Sequence, residues 1–288
     1  MKIAVSAWSF HEPLCAGKLR QTDVPAEVAA LGLRYVELLE MFLWRKPPGM
    51  LERVLRRTRS GVIPVTPPMS PTVDYSRDTL NELRGARLRA GTQLVCWDVD
   101  TDLTFADADT RRAQLAHIGT AIEAARFLGA PMLRITTGGT EDDSAAVGRV
   151  VDTLRVALSV AVASGIRLAI ENHFGLSTDP NTLVEIVKAL NSPHIGVCLD
   201  LGNFREGEAE AGLQLLGPYA IHVHAKSHSF GADGEETKIN YRAAMQALRA
   251  AGYDGMLSIE FEGDGSPAEG IRKTKALIKR HWAETGQV

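Results

Sequence analysis

Three cysteines in 288 residues, Cys15, Cys96 and Cys198, are too few and too scattered to build a disulfide framework, and no C-x-x-C pair offers a thiolate metal site. Two of them sit inside apolar strand-like runs, so buried reduced thiols are expected. Neither sign of charge dominates. The 32 Lys and Arg against 35 Asp and Glu leave a formal net charge of −3, without the basic field that tracking a nucleic-acid backbone requires. No apolar run approaches the roughly 20 residues that a membrane-spanning helix needs. The opening MKIAVSAWSF lacks the basic-then-apolar profile and cleavage site of a leader peptide. Outside residues 45–77 glycine and proline form no linker run, and there is no phosphate loop of P-loop type, Thr136-Thr137-Gly138-Gly139 being too short a signal. These absences lead us to expect a cytoplasmic protein with a small-molecule substrate, no nucleic-acid partner and no membrane partner, spanning residues 1–288 as one domain.

What is present is ordinary globular material, 45% hydrophobic and 23% charged, arranged as short apolar runs alternating with longer segments of helical period. This is the pattern of parallel strands joined by crossover helices. Strands are expected at KIAVSAWSF, LRYVELLEMF, TQLVCWDVD (92–100), MLRITTGG (132–139), IRLAIENH (166–173), IGVCLDLGN (195–203), AIHVHAKSH (220–228) and MLSIEFEG (256–263). The runs are nearly continuous in apolar character, as strands covered by helices require, and they end in polar residues. Eight such units predict an α/β fold, a (β/α)8 TIM barrel, whose active site gathers at the carboxyl ends of the strands. One connection is unusually long. Residues 45–77 hold Pro47-Pro48, the basic stretch LERVLRRTRS and the Pro-rich VIPVTPPMSP, and so long a connection reads as a lid or an inserted element. GVIPV within it has strand character, and its arginine-rich face beside Trp44, Met50 and Leu51 is a candidate interface for homo-oligomerisation.

Four strand ends carry metal-competent side chains at equivalent height: Glu171 in LAIENH, Asp200 in VCLDLGN, His224 in HVHAK and Glu260 in LSIEFEG. A single carboxylate at a strand end usually caps a helix or pairs with a lysine. Three gathered at one barrel mouth would repel one another without a cation. Hard carboxylate oxygens with one imidazole suit one divalent metal ion, Mn2+ first, with Mg2+, Co2+ and Zn2+ as alternatives.

In this set and order the sequence resembles the sugar isomerase and epimerase superfamily with the xylose-isomerase-like barrel. The likeness is strongest over Leu133–Gly263. The resemblance implies a single metal held by Glu171, Asp200, His224 and Glu260. In ketose 3-epimerases of this superfamily the two metal-bound glutamates exchange the substrate proton, a catalytic role that Glu171 and Glu260 would take. A histidine three residues after the aspartate and an arginine after the His strand complete that site, and here Asn203 and Phe230 stand in those places. In the 3-dehydroshikimate dehydratase group a histidine, a lysine and an arginine act on the substrate, and His173, Lys226 and Arg134 resemble them, again with Asn203 in place of the histidine. Both imply enolisation. A metal chelates a carbonyl and a neighbouring hydroxyl, a base removes the adjacent proton, and the resulting enediolate is reprotonated or loses hydroxide.

His173 lies two residues beyond Glu171 and so shares its side of the strand, which makes it a candidate base or acid. The plainer reading is a helix-capping histidine. Lys226 would polarise an oxyanion or instead form a surface pair. Arg134, Glu37, Asn203, His228 and Trp8 are the expected substrate contacts. His222 is expected one layer deeper, orienting a metal carboxylate. For Trp8 and Trp97 ordinary core packing competes with a role as an apolar wall. The leading reading is a divalent-metal-dependent isomerase or epimerase of a sugar, keto-sugar or related polyhydroxy compound, with a metal-dependent dehydratase as the alternative. An abasic-site endonuclease on the same fold would need further histidines, one of them where Asn203 stands, and the intact four-residue set weighs against a non-catalytic subunit.

Overall fold

The computed structural model describes residues 1–43, 73–139 and 145–285. Most of the long connection expected at 45–77, including GVIPV and the basic stretch, lies outside the described residues.

Eight parallel strands close into a barrel in sequence order: β1 Lys2–Ser6, β2 Tyr35–Leu39, β3 Gln93–Val99, β4 Met132–Ile135, β5 Arg167–Glu171, β6 Ile195–Asp200, β7 Ala220–Ser227 and β8 Met256–Phe261. The crossover helices are α1 Val24–Ala30, α2 Arg77–Arg89, α3 Ala108–Leu128, α4 Ala146–Ala163, α5 Pro180–Leu190, α6 Ala209–Leu216, α7 Tyr241–Ala250 and α8 Pro267–Glu284. The (β/α)8 expectation therefore holds, strand by strand. Each observed strand is shorter than the apolar run that announced it, because the last residues of the run have already turned into a loop or 3-10 segment at the mouth.

Local chemistry sets the helix ends. Asp107 accepts from the Thr110 amide at 2.7 Å to start α3, and Gly129 closes it at φ 81°. Asp179 accepts from the Asn181 amide at 2.9 Å ahead of Pro180, which begins α5. Ahead of it Gly175–Thr178 forms a separate 3-10 turn.

Alternation along each strand divides the interior in two. Outward residues such as Val36, Leu38, Trp97, Leu133, Ile170, Val197, Val223 and Ile259 join the large apolar layer under the helices. Inward residues near the start of the strands, Ala4, Cys96, Met132, Ala169 and Cys198, form a small separate apolar plug. Trp97 is thus core, and two cysteines are buried thiols, with Cys15 half-buried. Above the plug the inward positions turn polar. Among the described residues no helix is long and apolar enough to cross a membrane.

Candidate metal centre

Above the plug the strands project Asp98, Arg134, Glu171, Asp200, His224, Lys226 and Glu260 into the barrel, with Glu37 and His222 level with Cys96 and Cys198 below them, none more than 6% exposed. Register sets the neighbours: Asp98 lies beside Arg134, Asp200 beside His224, and Lys226 beside Glu260. So many ionisable groups away from water must satisfy one another or a bound ion.

Glu171, Asp200, His224 and Glu260 each bring one donor atom within 4.8 Å of the others. His224 Nδ1 lies 3.1 Å from Glu171 Oε1, 3.6 Å from Glu260 Oε1 and 3.9 Å from Asp200 Oδ2. Donors around one ion at about 2.1 Å stand roughly 3 to 4 Å apart, so this spacing suits a single small cation. Glu171 Oε2 and Asp200 Oδ2 are buried and receive no aligned hydrogen bond among the described residues, although a cationic nitrogen lies beside each. Their lone pairs therefore remain available, and the donor set fits a divalent metal. The backbone holds the cradle: Asn172 and Asp200 exchange two hydrogen bonds, Asn172 Nδ2 donating to the Asp200 carbonyl at 2.9 Å and the Asp200 amide to Asn172 Oδ1 at 2.7 Å. The Gly202 amide donates to Asp200 Oδ1 at 2.7 Å.

The protein's own cations sit between the acids. Arg134 Nη1 donates to Asp100 Oδ1 at 2.6 Å, and its Nε lies 2.9 Å from Glu171 Oε2 and 3.7 Å from Asp98 Oδ2. Lys226 Nζ lies 3.0 Å from Asp200 Oδ2, 2.9 Å from Glu262 Oε1 and 3.1 Å from Asn203 Oδ1. Burial raises the Asp200 carboxyl to about 6 despite Lys226. Burial likewise carries Glu260 to about 8 against the pull of His224 and Lys226. Burial also opposes ionisation of Glu171 and Glu262, but there the partners win. Arg134, His173 and His224 hold Glu171 well below the usual carboxylate range, and Lys226 with the Trp8 indole holds Glu262 down at about 2.

The residues expected from the sequence fall at different depths. His173 stands at the mouth, packed edge-on against Phe174 at 4.6 Å, with its amide donating to Ser177 Oγ and its Nδ1 buried without a hydrogen-bond partner among the described residues. Burial pushes its basicity down against the pull of Glu171. Asn203 reaches both Glu171, at 3.4 Å, and Lys226. Trp8 lies in a 3-10 turn after β1, donates from Nε1 to Glu262 Oε1 at 2.6 Å and stacks on His11 and Phe42. His228 is the outermost, its Nδ1 4.0 Å from Glu262 Oε2. Glu37 differs most from expectation. It is not at the end of β2 facing the mouth but in mid-strand, fully buried, with Oε1 2.7 Å from His224 Nε2 and Oε2 2.5 Å from His222 Nε2. His222 accordingly contacts Glu37 and not one of the three gathered carboxylates, Glu171, Asp200 and Glu260.

Asp98, Asp100 and Glu262 belong to the same network and were not singled out from the sequence. The signal existed: WDVD and EFEG continue the two-residue alternation that delivers the other inward side chains.

A family described as the xylose isomerase-like TIM barrel matches residues 25–281. An uncharacterized protein of Methanocaldococcus jannaschii is 35% identical over 121 residues, 38% of this chain, and the match spans only 41% of that relative. Among solved structures, a D-tagatose 3-epimerase-like protein superposes with a TM-score of 0.71 at 21% identity, covering 100% of this chain and 99% of the other. A probable 3-DHS dehydratase from Bacillus anthracis gives 0.67 at 16% identity, covering 96% and 98%. Likeness at these identities is likeness of fold.

Proposed function

We propose, from the premise that this chain belongs to the xylose isomerase-like TIM barrel family, that it is a divalent-metal-dependent isomerase or epimerase of an uncharged sugar, keto-sugar or related polyhydroxy compound. The observation that carries this reading is the convergence of Glu171, Asp200, His224 and Glu260 on one point at the barrel mouth. A bound divalent cation would supply the positive charge that acidifies the hydrogen beside a substrate carbonyl and stabilises the enediolate. Mn2+ heads the candidates, with Mg2+, Co2+ and Zn2+ behind it.

The two glutamates divide the proton work. Glu171 and Glu260, whose Oε1 atoms lie 3.1 and 3.6 Å from His224 Nδ1, would both be ionised ligands once the ion is bound, one taking the substrate proton and the other, once protonated, returning it. His173 and Asn203 at the mouth would orient substrate hydroxyls, and the Trp8 ring with His228 would form the outer wall of the sugar site.

The dehydratase alternative has His173, Lys226 and Arg134 in its favour, all three brought near the centre. An acidic substrate needs a cation free to meet its carboxylate, however. Arg134 already lies against Glu171, Asp98 and Asp100, and Lys226 against Asp200 and Glu262. With both cations already committed to the site's own carboxylates, neither is left to meet a substrate carboxylate or phosphate, which favours a neutral polyol over an acid or a phosphate ester.

The test is solvent exchange. Mn2+-loaded protein is incubated in D2O with neutral ketopentoses and ketohexoses, and deuterium beside the carbonyl is followed by NMR, in parallel with 3-dehydroshikimate. Exchange into a neutral ketose that Glu171→Gln abolishes supports the proposal. Turnover of 3-dehydroshikimate alone would select the dehydratase, and no exchange with any ketose would sink the isomerase reading.

A further inference from the structure

One layer below the four gathered donors, Glu37 makes a contact that barrel pairing does not explain. β2 and β7 are not neighbours in the sheet, yet Glu37 spans the interior to reach two alternate residues of β7. Its Oε1 lies 2.7 Å from His224 Nε2 and its Oε2 2.5 Å from His222 Nε2. The two imidazoles stand perpendicular, at 85° with centroids 5.4 Å apart, so that both present an edge nitrogen to the one carboxylate. All three side chains are within 1% of complete burial, so the contacts are shielded from bulk solvent.

An imidazole that donates from Nε2 keeps a lone pair on Nδ1. In His224 that Nδ1 is the atom facing Glu171 Oε1 and Glu260 Oε1. We infer that Glu37 is a positioning residue of the metal centre: it takes the Nε2–H of His224, turns the Nδ1 lone pair toward the ion, and is itself held from its other oxygen by His222. The inference rests on the metal-dependent reading above. It assigns to Glu37 the alignment of a ligand in place of contact with substrate, and to His222 the alignment of Glu37. A carboxylate behind a ligating histidine fixes the ring and raises its basicity, and losing such a partner weakens metal binding about 10- to 100-fold.

Glu37→Gln keeps the size of the side chain but has a single acceptor oxygen and turns an NH2 toward one of the two imidazoles, so both histidines can no longer donate to it. The experiment uses the full chain labelled with 15N-histidine, treated with chelator, and then titrated with Zn2+ as a diamagnetic probe. The His224 signals are assigned by their loss in His224→Asn. The expected wild-type result is a hydrogen-bonded proton on His224 Nε2 before Zn2+ is added, and a Zn2+-induced shift confined to Nδ1. In Glu37→Gln the Nε2 proton signal should move or vanish, and Zn2+ affinity by calorimetry should fall 10- to 100-fold. An unprotonated Nε2 in the wild type, which needs no variant to observe, overturns the inference. So does a folded Glu37→Gln protein whose Zn2+ affinity stays within about twofold of wild type. A wild type that shows the Nε2 proton but takes up no Zn2+ defeats the metal-dependent reading while upholding the Glu37 bond.

Discussion

Lys226 occupies the space between Asp200, Glu260, Glu262 and Asn203, so at the residue scale it competes with a cation for the same oxygens. Removing one partner of a buried charge pair typically costs about 3–5 kcal/mol, because the partner is left uncompensated. Lys226→Met should therefore lower the melting temperature sharply in chelator-treated protein, and excess Mn2+ should recover most of the loss. Calorimetry with and without the ion checks this, and an equal loss in both conditions would show that lysine and metal do not share the acids. The acids also set a pH dependence. Asp200 at about 6 and Glu260 at about 8 must give up protons before they can ligate, so Mn2+ affinity should rise from pH 6 to pH 8, by at most about tenfold per unit for each proton released. The metal-free protein moves the other way at Glu260. Its folded value lies above the ordinary 4.5, so the native state holds the extra proton and stability falls as pH climbs from 4.5 to 8. Glu262, held at about 2, has the opposite sign: its contribution is full above 4.5 and is lost as the pH drops toward 2. Titration calorimetry and thermal melts across this range test both signs.

At the scale of elements, the loops after neighbouring strands are locked together at glycines. Gly175, after β5, has φ 74°, and a Cβ there would lie 2.5 Å from the carbonyl oxygens of Gly138 and Gly139 after β4. Gly175→Ala combines backbone strain with a clash against main chain that cannot rotate away. We expect a loss of about 2–4 kcal/mol in chemical denaturation and a displaced His173, whereas alanine at Gly148 on α4, with open space around it, should cost nothing. The strands were legible because alternation with an apolar outer face leaves a strong trace. MLSIEF and IGVCLD read as strands whichever way their inward residues are filled. Depth along a strand was not legible. LRYVELLEMF does not reveal that the chain turns into a 3-10 segment at Glu40, and that turn makes Glu37 an interior residue. Nor did HVHAK disclose that its first histidine would meet a glutamate from the far side of the barrel, since such a contact depends on closure and not on any local pattern. Asp98 and Asp100 were passed over for a similar reason. Their significance lies in Arg134 on the adjacent strand, and a run read alone does not show its neighbour.

For the whole molecule, an ion bound only by the native state stabilises it by mass action, about 2.7 kcal/mol when its concentration is 100 times the dissociation constant. In a barrel of this size that corresponds to a rise of several degrees in the melting temperature. Saturating Mn2+ should produce such a rise in the wild type, and Glu171→Gln and Asp200→Asn should show little of it. An equal rise in all three would place the ion elsewhere. The closed sheet was foreseeable at this scale, since eight βα units have few other ways to cover both faces of their strands. The electrostatic economy of the interior was not, because it emerges only when side chains from seven strands meet. That interior bears on how the protein is made. Arg134 and Lys226 already hold the acids in place, unlike the bare thiolates of a zinc finger, which stay unfolded until the metal arrives. On the metal-dependent reading proposed above, the newly synthesised chain would complete its barrel first and receive its ion afterwards, so that maturation would be set by metal supply and the ion could be exchanged without passing through an unfolded intermediate.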